Sequence, residues 1–109
     1  MKNIFFITAA LLFIYCCTPL IKPPADTDIQ TAQKHWHNAT VLQLNEGYSL
    51  FIHKCGNCHY LYRPARFTEE KWTKEIPEMG KKAKLDSAQT EAVKRYILTA
   101  LETKSYSAK

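Results

Sequence analysis

Glycine is scarce, at three residues in 109. So few exclude a collagen-like chain or a glycine-rich repeat protein, and no internal period marks a repeat architecture. There is no Gly-rich phosphate loop, so nucleotide hydrolysis has no support. No segment alternates apolar and polar residues as a half-buried strand would, which points to an all-α chain. The length excludes a multi-domain enzyme. Wholesale disorder is excluded in turn, because 46% of the residues are hydrophobic and only 23% charged. A net charge of +5 comes without a basic helix or an array of stacking aromatics, so no nucleic-acid partner is expected. The longest apolar run, residues 4–15 with Thr8 as its one polar member, is about a dozen residues, against the ~20 a spanning helix needs.

That run follows the short basic start Met1-Lys2-Asn3 and ends in Cys16-Cys17-Thr18-Pro19. Its length and flanks read as a secretory signal peptide over residues 1–16. A cysteine pair directly after an apolar run resembles the cleavage site of a bacterial lipoprotein, whose cysteine becomes the first mature residue and carries lipid. That resemblance implies lipidation of Cys17, because the residue before it, Cys16, is small whereas Tyr15 before Cys16 is not. The alternative is an uncleaved anchor with two incidental cysteines. Either way the rest of the chain is expected outside the cytoplasm, in the periplasm or at the cell surface, held to a bacterial membrane. Residues 17–39 read as a flexible tether: Pro19, Pro23, Pro24, Asp26 and Asp28 occur without a sustained apolar period. His35-Trp36-His37 is unusual for a linker and is a candidate to fold back on the domain.

The folded unit is expected over residues 40–106, as three helices. In the first, Leu44, Tyr48, Phe51 and Cys55 form one helical stripe. Gly47 beside it costs about 1 kcal/mol relative to Ala, which indicates a close approach by another helix. The second helix has Thr68 as N-cap, Glu69 and Glu70 at the positive end of the dipole, and Phe67 and Trp72 at the two staple positions. Pro77 is expected to end or kink it, leaving Met79-Gly80 in or near a turn. The third helix starts near Asp86 with Gln89 at capping-box spacing. Its apolar stripe is Ala92, Val93, Tyr96, Ile97, Ala100 and Leu101, with Lys94, Arg95 and Glu102 on the other side. A unit this small needs a disulfide, metal or cofactor to stabilise it.

Cys55-Gly56-Asn57-Cys58-His59 is C-x-x-C-H, the attachment pattern of a c-type haem. Two thiols at this spacing can add to the two vinyl groups of one haem, and the adjacent imidazole can meet the iron. A thioredoxin-like disulfide would need a βαβ pattern around the motif, which is absent. A closed zinc site would need four ligands, and the other cysteines, Cys16 and Cys17, belong to the export segment.

With these residues the chain resembles the small monohaem cytochromes c of class I, over about residues 44–101. The resemblance implies a compact all-α, three-helix domain around one covalent haem c and its iron. It implies a glycine and aromatics, here Gly47, Phe51 and Tyr96, where the first and last helices cross. It implies His59 as one axial ligand and Met79, after Pro77, as the other, although only twenty positions separate the two. The competing sixth ligands are His53, His35 and His37, or an open position. In the family a proline carbonyl orients the axial histidine, and Pro64 is its candidate here, the other reading being a simple turn. Arg63, Arg66 and Trp72 are candidate donors to the haem propionates.

Lys81, Lys82 and Lys84 after Met79, with Lys94-Arg95, would form a basic rim that steers acidic redox partners, or simply a solvated face. The expected function is electron transfer rather than catalysis, since two protein ligands leave no place for a substrate. The alternatives are a haem-based sensor with a labile sixth position and a haem subunit of a larger oxidoreductase.

Overall fold

The computed structural model describes residues 21–104. Helices α1 (Asp26–His35), α2 (Val41–His53), α3 (Glu69–Lys82) and α4 (Ser87–Thr103) follow in order. Short 3-10 turns at Cys55–Asn57 and Pro64–Arg66 lie between α2 and α3. Among the described residues there is no strand, as the missing alternation implied. No helix among them is long and apolar enough to cross a membrane. The expected signal peptide and the candidate lipidation site, Cys17, lie outside the described residues.

The caps explain where three helices start. Thr40 Oγ1 accepts from Gln43 N at 3.1 Å, opening α2. Thr68 Oγ1 accepts from Lys71 N at 3.3 Å, opening α3, and the flanking Phe67 and Trp72 rings meet at 5.3 Å as a staple. Asp86 and Gln89 complete a reciprocal capping box at the start of α4, with Gln89 N 2.8 Å from Asp86 Oδ1 and Asp86 N 3.0 Å from Gln89 Oε1.

Two sequence expectations are corrected. Residues 26–35, assigned above to a flexible tether, form α1, which packs on α2 and α4. Its apolar stripe is short and built on a small residue: Ala32 is fully buried with Ala39 and Leu44, and Ile29 and Trp36 pack around them. A three-residue stripe centred on alanine gives almost no periodic signal. The domain therefore has four helices rather than three. Second, Pro77 neither ends α3 nor moves Met79 into a turn; the helix runs on to Lys82. Proline removes one helical hydrogen bond, but Trp72, Ile76 and Gly80 are all buried along one face of α3, and that burial holds both sides of the break in register. Chain reversal comes later, at Lys84, whose φ of 59° is left-handed. There Lys84 N bonds Lys81 O at 3.1 Å and Leu85 N bonds Gly80 O at 2.9 Å, a Schellman closure.

The core is formed by Phe51, Trp72, Ile76, Val93, Tyr96, Ile97 and Ala100. Helices α2 and α4 cross closely at Gly47, where an added Cβ would lie 2.1 Å from Ala92 O and 2.9 Å from Tyr96 Cβ. Phe51 and Tyr96 meet one turn further on, with ring centroids 6.1 Å apart. The close approach read from Gly47 is thus the main helix crossing. A second one, at Gly80, presses α3 on α4, since a Cβ there would be 2.7 Å from Thr90 Oγ1.

Candidate haem-attachment site

Helix α2 ends at His53, and the chain tightens into the 3-10 turn that carries Cys55. Cys55 is half-buried against the core, Cys58 is exposed, and neither is in a disulfide. Burial, and then the nearby Cys58, push the Cys55 thiol above its ordinary value. A redox-active C-x-x-C site needs the opposite, a thiol held low so that it is a thiolate at neutral pH.

His59 follows on the exposed side. Its Nδ1 lies 2.7 Å from the Tyr60 carbonyl oxygen. A carbonyl only accepts, so Nδ1 carries the proton and Nε2 keeps its lone pair for a metal. Tyr62 packs on the imidazole with ring centroids 5.3 Å apart. The orienting acceptor is thus the next residue's backbone. Pro64, the expected acceptor, is engaged elsewhere: its carbonyl takes the buried indole N–H of Trp72 at 2.8 Å. This corrects two expectations together. Pro64 does not orient His59, and the Trp72 N–H is directed to the chain rather than outward to a propionate.

Because α3 continues through Pro77, Met79 lies on a helix, half-buried against the core. A cavity of about 100 Å³ is lined by Lys54, Cys55, Cys58, His59, Met79, Lys82 and Ala83. Cys55 and Met79 also line an adjoining apolar recess with Phe51, Ile76, Leu85 and others. The fold therefore brings Cys55, Cys58, His59 and Met79 to one place, although they come from two separate segments. Two free thiols, an imidazole with an available Nε2 and a thioether around one cavity, with Cys55 and Met79 also on the apolar recess, suit a covalently held iron porphyrin. Among the described residues no cluster of three or more His, Cys, Asp or Glu could hold a bare metal ion.

The other candidates are distributed less evenly. Arg63 and Arg66 are exposed and make no ion pair with described residues, and Arg66 lies over the Phe67 ring at 5.9 Å. Lys54 and Lys82 border the cavity, with Lys81 and Lys84 next to Lys82 in sequence. Arg95, expected in that rim, instead bonds Asn38 Oδ1 at 2.9 Å and Gln43 Oε1 at 3.0 Å and lies over Trp36. It is a tie between α4 and the α1–α2 connection. His35 pairs with Glu102 at 2.6 Å and lines a different cavity with Trp36 and Glu69. His53 and His37 are exposed.

Sequence reasoning missed the Tyr60 carbonyl, the Tyr62 ring and Lys54. No residue-type signal marks a backbone acceptor, because every residue has one. Tyr62 could have been found, as the aromatic nearest His59 that is not adjacent to it.

A family model described as dihaem cytochrome c matches residues 51–109. No curated protein and no solved structure matches the chain.

Proposed function

The chain belongs to the dihaem cytochrome c family, and from that premise we propose that it is an exported electron carrier holding one haem through Cys55 and Cys58, with His59 and Met79 as axial ligands. The observation that carries this is the single cavity lined by all four residues. The family description counts two haems where the class I resemblance implied one, while these 109 residues contain one C-x-x-C-H motif. One haem per chain is therefore the proposed stoichiometry.

Bound there, the cofactor would supply a one-electron couple. The chain's own part follows from its side chains. The Cys55 and Cys58 thiols would hold the group as thioethers, S–H and the vinyl π bond giving way to C–S and C–H with no net redox change. The Tyr60 carbonyl fixes the His59 tautomer and leaves Nε2 to ligate. Met79, a thioether, would favour Fe(II) over Fe(III) and so raise the potential. The recess lined by Phe51, Ile76, Leu85 and Val93 keeps water from one side. Arg63 and Arg66 are the propionate donors in this reading. Lys54 and Lys82, exposed at the cavity edge, would guide an acidic redox protein, with a rate that falls as salt rises. With His59 and Met79 both holding the iron, the site would act as a carrier rather than as an enzyme. A lipid on Cys17 would tether it to a bacterial membrane on the periplasmic or outer side.

The test is the protein exported by a host with the attachment machinery. A pyridine haemochrome assay should give one haem per chain. The oxidised spectrum should show the weak far-red band of methionine–iron ligation. Met79→Ala should keep the haem, lose that band and lower the potential, whereas Cys55→Ala should weaken or abolish attachment. A Met79→Ala spectrum identical to wild type sinks the ligand assignment, and high-spin wild-type protein favours a ligand-binding sensor.

A further inference from the structure

The indole N–H of Trp72 is a buried polar group joining the two segments that supply the candidate ligands. Trp72 is 1% exposed, and its hydrogen bond to the Pro64 carbonyl is buried as well. Pro64 sits within the segment that follows His59, and its 3-10 turn packs on α4. Trp72 sits two turns before Met79 on α3, with buried Ile76 between them. A second connection runs through rings. Trp72 meets Phe67 at 5.3 Å, Phe67 meets Tyr62 at 5.2 Å, and Tyr62 meets His59 at 5.3 Å. The backbone bond and the line of rings both end on the segment bearing the imidazole.

We propose that Trp72 is a positioning residue: its N–H, through the Pro64 carbonyl, pins the 59–67 segment to α3 and so sets how His59 and Met79 stand relative to each other. It is not a propionate donor. Three features support this. The donor is already satisfied within the chain. Removing it would leave the buried Pro64 carbonyl with only the long bond from Phe67 N at 3.5 Å, so the segment would be held less firmly. Most of the segment is otherwise exposed, and its other inward contacts come from Leu61, Pro64 and Phe67. The inference rests on the His59 and Met79 reading above.

The haem-loaded protein is the material for the test. In wild type, NMR should show the Trp72 indole N–H exchanging with solvent at least tenfold more slowly than that of half-buried Trp36, with no contact to a propionate. Trp72→Phe keeps a ring between Phe51 and Phe67 and removes the donor, at the cost of some buried ring volume. It should keep haem content and helicity, speed amide exchange at residues 61–67 at least tenfold, and shift the g values of the ferric EPR spectrum. Pro64→Ala retains the carbonyl and should stay within twofold of wild type in exchange. A merely structural tryptophan would lower the melting temperature and leave local exchange and g values unchanged, which overturns the proposal. So does a wild-type indole bonded to a propionate or exchanging as fast as Trp36, a measurement that decides the matter even if Trp72→Phe does not fold. Wild type without haem by pyridine haemochrome overturns the ligand reading and this inference with it, whereas haem-loaded wild type with a fast-exchanging indole overturns the inference alone.

Discussion

At Gly47 a single missing Cβ lets α2 and α4 approach, since an alanine methyl would lie 2.1 Å from the Ala92 carbonyl. Backbone cannot yield as a side-chain tip can. Gly47→Ala should therefore destabilise the fold by about 1–3 kcal/mol, the usual cost of overpacking, despite alanine's better helix propensity. Urea unfolding of the haem-loaded protein measures this; a gain in stability would show that the crossing is looser than described. The neighbouring motif works at the same scale. Cys55 is half-buried, and burial, followed by the nearby Cys58, pushes its thiol above the ordinary value, the opposite of a reactive low-lying thiolate.

Among the elements, α3 brings Met79 to the cavity, and it departs from its sequence reading. A proline in its interior should have stopped it; instead its buried face carries it two residues past Met79 and Gly80 to Lys82. The closure that does stop it places a lysine, Lys84, in left-handed backbone at φ 59°. Glycine takes that conformation without the Cβ clash, so Lys84→Gly should raise stability by about 0.5–1 kcal/mol. Paired unfolding curves with equal m-values would check it, and a loss of stability would mean that the lysine side chain has a role beyond the turn. The caps at Thr68 and Asp86 were readable in advance, because a cap is a contract between residues three apart.

Across the whole molecule, Arg95, paired with Glu91 on its own helix, ties the last helix to the α1–α2 region. Burial pushes the Glu91 carboxyl up, but hydrogen bonds and charge from Lys94 and Arg95 outweigh it and hold it below its ordinary value of 4.5. Arg95 in turn reaches Asn38 and Gln43. A carboxyl depressed on folding contributes stability that is fully present above its unfolded value and is lost as pH falls through the folded one. Wild type should therefore be more stable than Glu91→Gln near neutral pH, and the difference should shrink below pH ~4, where carboxylates protonate. Urea midpoints of both proteins across that range test it, and a constant difference would exclude the linkage.

The haem motif, the helical class, two of the four helix starts and the Gly47 crossing were legible because each depends on residue types at short, fixed spacing. The α1 helix, the continuation of α3 through Pro77, the Tyr60 carbonyl on His59, and the partners of Trp72 and Arg95 were not. Each of these is decided by which distant groups meet when the chain packs. A proline survives in a helix when burial on both sides outweighs one lost bond, and an indole N–H or a guanidinium takes the acceptor that tertiary packing presents. Residue order specified the chemistry available at positions 55, 58, 59 and 79, whereas packing decided that the four share one cavity.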